Sequence, residues 1–177
     1  LTSGTATVVP VYQSSYTVKC GNESFNASVS GVMEDHKDVR SFVLADGRFI
    51  MDGDNKSQSL VVVLGDTVAQ DLFGTLSPID KIISINGIKF QVVGILDSKG
   101  ASIGSPDNLI FIPIETGYNK LFGESATYNG KKTINTILIS VADTDAMDTV
   151  SAHVEYMLRR THELKPSDEL DFNVLSQ

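Results

Sequence analysis

Residues 81–85 and 88–96 are alternating apolar runs joined by Asn86-Gly87. Asn-Gly supplies the two positive φ angles of a type I′ turn, whose twist matches that of two antiparallel strands. A hairpin is thereby fixed near the middle of the chain, and the other elements must be arranged around a sheet. Much of the remaining sequence is also strand-like. Residues 6–12 read as a strand in which Pro10 points to an edge or a bulge. Tyr16, Val18 and Cys20 alternate with Thr17 and Lys19, Gly21-Asn22 turns the chain, and Phe25, Ala27 and Val29 share a face of the return. Residues 60–64 (LVVVL) are an unbroken apolar run, the pattern of a buried strand. Further strands are expected at 108–112, 134–141 and 170–174.

Three helices are expected between them. The first follows Gly65, with Asp66 or Thr67 as cap, Gln70 completing a capping box with Thr67, and Gly74 as a left-handed end. Ala69, Leu72 and Phe73 give it an apolar face. A second opens at Pro113 and Glu115 and ends near Phe122-Gly123. The longest is capped by Asp143 or Thr144 and runs to about His162, with Met147, Val150, Val154, Met157 and Leu158 as its apolar stripe. Arg159, Arg160 and His162 fall in its last turn, where they favour the helix dipole. Residues 39–44 are a short apolar stretch, Asp46-Gly47 is a turn, and 51–59, 98–107 and 124–132 are polar loops. The expected fold is α+β, a strand-rich two-lobe domain. Residues 1–44 and 131–177 form a split βαβ, porter-like lobe from both chain ends, and 45–130 an inserted mainly-β lobe.

With 41% hydrophobic and 20% charged residues, the chain has the composition of a folded protein. Its formal net charge of -8 repels phosphate backbones and anionic lipid, so nucleic acid is not an expected partner. No apolar run approaches the ~20 residues that span a bilayer, and no signal-peptide pattern is present. A chain that opens almost directly into a strand is expected to be cut from a longer protein. Cys20 is the single cysteine, expected as an ordinary strand residue.

The sequence offers little chemistry. Gly94, Gly100 and Gly104 are not followed by the Gly-Lys-Ser/Thr of a phosphate-binding loop. His36, His153 and His162 stand alone, without His or Cys at ligand spacing, and are expected at the surface or in caps. Asp52-Gly53-Asp54-Asn55 starts like a calcium loop, but Lys56 and Ser57 occupy the places that need an oxygen ligand and a glycine. No Gly-x-Ser-x-Gly elbow occurs. Asn22, Asn26 and Asn55 open Asn-x-Ser sequons best read as chance. No catalytic, cofactor-binding or metal-binding residues are expected.

Residues 60–74 (LVVVLGDTVAQDLFG) and 77–96 (SPIDKIISINGIKFQVVGIL) resemble a block of the extracytoplasmic core domain of MacB-like (FtsX-like) ABC-transporter permeases. The matching positions are Leu64, Gly65, Leu72, Phe73, Gly74, Pro78, Lys81, Gly87, Phe90 and Gly94. Upstream, Gly47-Arg48-Phe49 matches the family's G-R-F. Downstream, residues 108–113 match a strand ending in Pro113, and residues 158–162 match an L-R-x-x-H ending in His162, followed by Asp171-Phe172-Asn173-Val174. Asp80 departs from the pattern, standing where the family has glycine before Lys81. The resemblance implies that these residues mark the fold: Gly65, Gly74, Gly87 and Gly94 at turns and caps, and Leu72, Phe73, Phe90 and Val93 in the core. It implies a non-catalytic domain outside the membrane, held by flanking transmembrane helices, that passes the motion of a cytoplasmic ATPase to export or signalling. Implied partners are a second permease subunit, a cytoplasmic ATP-binding subunit or domain, and a periplasmic adaptor protein. The alternative is a free-standing extracellular binding module of similar fold.

Overall fold

The fold is that of a computed structural model describing residues 7–100, 105–142, 144–165 and 167–175. Its strands are β1 (Thr7–Cys20), β2 (Glu23–Val32), β3 (Leu44–Gly47), β4 (Val61–Leu64), β5 (Ile82–Ile85), β6 (Ile88–Leu96), β7 (Leu109–Pro113), β8 (Thr127–Tyr128), β9 (Lys131–Lys132) and β10 (Thr136–Ser140). Its helices are α1 (His36–Val39), α2 (Asp52–Ser57), α3 (Asp66–Phe73), α4 (Ile114–Thr116) and α5 (Met147–Thr161). The architecture is α+β and strand-rich.

Six strands pair in a ring. β1 runs antiparallel to β2, β2 parallel to β7, β7 antiparallel to β4, and β4 parallel to β6. β5 returns from β6 in the Asn86-Gly87 hairpin and pairs with the far end of β1 through Val18↔Ile85 and Lys19↔Ser84. The ring closes there, so none of the six is left with a bare edge along its whole length. β3 adds to β6, and β10 to β1.

The apolar run of β4 is explained by its position. Val62 and Leu64 point to one core with Val18, Val29, Ile83, Ile85, Phe90, Val92, Ile110 and Ile112, covered by Val68, Ala69 and Leu72 of α3. Val61 and Val63 point to the other, with Val11, Val32, Phe42, Phe49, Leu96 and Phe111. A strand buried on both faces has no polar position to offer. β6 shows what happens where the ladder slips. Phe90 and Val92 face the first core, the register with β4 shifts between Val62 and Val63, and Leu96 ends in the second. One extra residue swaps the faces that follow it.

Several elements differ from the sequence expectation. α3 starts at Asp66, with Gly65 in the capping position and no side-chain cap. Gln70 reaches back to the Asp66 carboxylate at 2.7 Å, so no Thr67–Gln70 capping box forms. Residues 51–59 hold the helix α2, because Asp54 accepts from the Met51 N–H at 2.9 Å and closes its first turn. The helix beginning at Ile114 widens into a π-helical turn over Gly117–Leu121. The 124–132 loop contains the β8–β9 hairpin around Asn129-Gly130. Met157 is exposed rather than part of a packed stripe. Residues 170–174 form no strand and lie mostly exposed, with no ladder partner among the described residues. The expected cap at Asp143 lies outside the described residues.

The chain divides into two compact units, Leu1–Thr7 with Ile139–Gln177, and Val8–Leu138. In the second unit, β1 and β2 are hydrogen-bonded into the same sheet as β4, β6 and β7. Among the described residues no helix is long and apolar enough to cross a membrane.

Asp80 takes the family's glycine position with φ 64, and the turn is retained: its N–H donates to Val92 at 2.9 Å, and Lys81 donates to Pro78 at 3.0 Å. A left-handed backbone costs a non-glycine residue about 1 kcal/mol. Asp80→Gly is therefore expected to raise the unfolding free energy by about 1 kcal/mol in chemical denaturation, and a fall would show that the Asp80–Gln91 hydrogen bond outweighs the strain.

Candidate functional site

Several residues of the resemblance, Gly47, Arg48, Phe90 and Gly94, lie on or against β6. Gly47 and Gly94 face each other across the β3–β6 ladder. A Cβ on Gly94 would run into the Arg48 carbonyl, and one on Gly47 into the Val93 carbonyl. Gly94 is therefore a strand residue needed for close approach, whereas the resemblance placed it at a turn or cap. Gly47 adds a positive φ of 74. Arg48 N–H then donates to Val93 at 2.8 Å, and its side chain turns to Asp54, making contacts of 2.6 and 3.1 Å. Burial works to raise the pKa of Asp54. Arg48, the Met51 N–H and Ser59 outweigh it and hold the carboxyl below its ordinary value. Phe49 enters the second core. The three residues of G-R-F thus serve close backbone approach, an ion pair closing α2, and packing.

The other positions serve the backbone and the core in the same way. Gly65 leaves no room for a Cβ beside the carbonyls of Pro106 and Asp107. Gly74 ends α3 at φ 58, and Asn86 and Gly87 take φ 49 and 84 in the hairpin turn. Leu64, Leu72, Phe90, Pro78 and Pro113 are buried, Phe73 is half-buried, and Lys81 is exposed. Asp107, unremarked in the sequence, organises the loop before β7. It accepts from Ser98 Oγ at 2.9 Å and the Lys99 N–H at 3.1 Å, and these contacts outweigh burial and lower its pKa.

His36 is not the surface histidine the sequence suggested. It is 5% exposed and stands 5.6 Å from the rings of Phe42 and Phe111 and 6.5 Å from Phe49, with no partner on Nδ1. Burial, helped by the Arg40 guanidinium, pushes its pKa down to about 4. The only sequence hint was its place just after a strand end and before Phe42. Asn55 is likewise buried, donating to the Val32 carbonyl, which fits the reading of its sequon as chance.

α5 ends in a Schellman motif with Glu163 at φ 58: Leu164 N–H donates to Arg159 at 2.8 Å and Glu163 N–H to Arg160 at 3.3 Å. His162 Nδ1 lies 2.8 Å from the Asp171 carboxylate, and its ring meets Phe172 edge-on at 5.7 Å. The two halves of the last matched motif therefore touch. His153 is exposed on the same helix. Among the described residues no three His, Cys, Asp or Glu side chains group to hold a metal ion. An open cleft of about 330 Å³ beside α3 is lined by Asp46, Asp66, Gln70, Gly74, Leu76 and Pro78 among others.

The strand ring, the glycine crossing and the capped α5 describe a strand-rich α+β class of domain, and the comparisons give its family. The model of the MacB-like periplasmic core domain matches residues 2–156, and the chain belongs to that family. The macrolide export ATP-binding/permease protein MacB of Bdellovibrio bacteriovorus is 32% identical over 157 residues, covering 88% of this chain and 23% of that protein. The pyoverdine export ATP-binding/permease protein PvdT of Pseudomonas aeruginosa is 30% identical over 168 residues, covering 94% and 24%. The chain thus spans about a quarter of the length of these relatives. The periplasmic region of MacB from Actinobacillus actinomycetemcomitans superposes with TM-score 0.71 at 25% identity, covering 89% of this chain and 68% of that one. The extracellular domain of the transporter YknZ from Gram-positive bacteria shares the fold, with TM-score 0.71 at 22% identity over 89% and 76%.

Two measurements check this account of the motif and of His36. Arg48→Ala leaves the buried Asp54 carboxylate without its cation and is expected to lower stability by about 2 kcal/mol; no change would mean the pair is idle. His36 stays neutral in the fold while the unfolded chain takes up a proton below its ordinary value of 6.5. Stability should then fall as pH drops from 6.5 to about 4, by roughly 3 kcal/mol, and level off below. His36→Phe should remove that component of the acid limb in denaturation curves taken across the window.

Proposed function

We propose that this chain is the extracytoplasmic domain of an ABC-transporter permease, a non-catalytic module that carries movement rather than chemistry. The observation that supports the reading is where the matched residues go. Across a family match covering residues 2–156, Gly47, Gly65, Gly74, Gly87 and Gly94 are taken up by backbone geometry, and Arg48 by an ion pair. Leu64, Phe49 and Phe90 are taken up by packing. A pattern devoted to holding a shape suits a part whose task is to move as a body.

In this reading, transmembrane helices flank the domain, and a cytoplasmic ATP-binding subunit or domain drives it. A second permease copy stands beside it, and a periplasmic adaptor protein is a further partner. The relatives named for macrolide and pyoverdine export make export the favoured direction. No cargo is assigned.

Placement outside the membrane is open to a direct test in the full-length protein. Tyr128 is 73% exposed at the β8–β9 hairpin, and Cys20 is half-buried. With Cys20→Ser and Tyr128→Cys, spheroplasts are expected to take up a membrane-impermeant maleimide at position 128 without lysis. Labelling only after the membrane is broken would overturn the reading.

A further inference from the structure

The L-R-x-x-H element and the residues after it are not explained by packing, since α5 has no fully buried residue. Their contacts follow a different plan. The Schellman turn at Glu163 reverses the chain, and the segment beyond is tied back to the last turn of α5 at three points. Arg159 Nη1 donates to the carbonyls of Lys165 and Asp168, both at 3.2 Å, while its Nε pairs with Glu155 at 3.1 Å. Asp168 closes a small loop by accepting from the Lys165 N–H at 2.8 Å. His162 takes Asp171 at 2.8 and 3.0 Å and the edge contact with Phe172. Arginine suits the first task because its planar fork can serve two carbonyls and a carboxylate at once. The attachments at 165, 168 and 171 are polar and largely exposed. Together they fix the direction in which the chain leaves the helix, and they can open without emptying a core.

We infer that Arg159 and His162 form a latch that fixes the segment carrying Lys165, Asp168 and Asp171 to the end of α5, and that movement passes between α5 and the following chain through this latch. The second half rests on the force-transmission reading above. Arg159 and His162 are positioning residues: they hold a segment and touch no cargo.

Hydrogen exchange tests both halves. In the 177-residue chain, His162→Ala and Asp171→Ala should each speed exchange of the Leu164, Lys165 and Asp168 amides about tenfold. Amides of β4 and β7 should be unchanged, and the double variant should be no faster than either single. Additive effects, unchanged exchange, or equal acceleration in β4 and β7 would overturn the latch. In the full-length transporter, a non-hydrolysable ATP analogue should alter exchange in both 163–172 and α5 of the wild type. With His162→Ala the change should stop at 163–172. A response of α5 that survives the substitution overturns the latch as the joint while leaving the transmission reading intact. A wild-type α5 that ignores nucleotide overturns the transmission reading, and the joint with it.

Discussion

The structure depends on a four-residue strand that has no solvent side. β4 is enclosed by β6 and β7 within the sheet and by a core on each face, and its side chains divide evenly between the two. Burying an aliphatic side chain is worth about 1.5–3 kcal/mol, and all four side chains of this segment are buried. It also sets limits on its neighbours. The strands around it pair in a ring, which closes where β5 reaches β1 at Val18↔Ile85 and Lys19↔Ser84. Elements packed against a double-sided strand need helices or aromatic clusters as covers, which α3 and the Phe42–Phe49–Phe111 group supply.

Where β3 is laid against β6 outside the ring the backbones come close, which accounts for the glycines at that crossing. At Gly47 and Gly94 the constraint is the carbonyl of the opposite strand, and at Gly65 the loop before β7. The bulge in β6 moves the end of that strand from the first core to the second. A family pattern of this kind describes how a shape is held.

Much of this was legible in the sequence, for local reasons. The Asn86-Gly87 hairpin, the LVVVL strand and the return at Gly21-Asn22 are fixed by turn chemistry and by runs of apolar residues, and the structure has all three. Asn129-Gly130 carries the same signal in a shorter hairpin, but its flanks are polar and lack the alternating apolar runs that mark the other one. α2 was hidden because its six residues have no apolar period; its order comes from Arg48 and the Met51 N–H meeting Asp54. His36 was misplaced because burial of an isolated polar residue depends on which rings arrive from distant strands. Residues 170–174 alternate like a strand, but a strand is realised only where a partner edge is present. The meeting of His162 with Asp171 was not predictable from spacing, since it depends on the chain reversal at Glu163.

In the proposed function, this domain moves when nucleotide binds on the other side of the membrane. The most direct measurement is the distance between spin labels placed at position 128 on the two copies of the domain in the full-length transporter, by pulsed electron resonance with and without ATP. The account predicts a distance distribution that shifts as a whole on adding ATP and returns after hydrolysis, with the label's local mobility unchanged. A distribution identical in both states would contradict it.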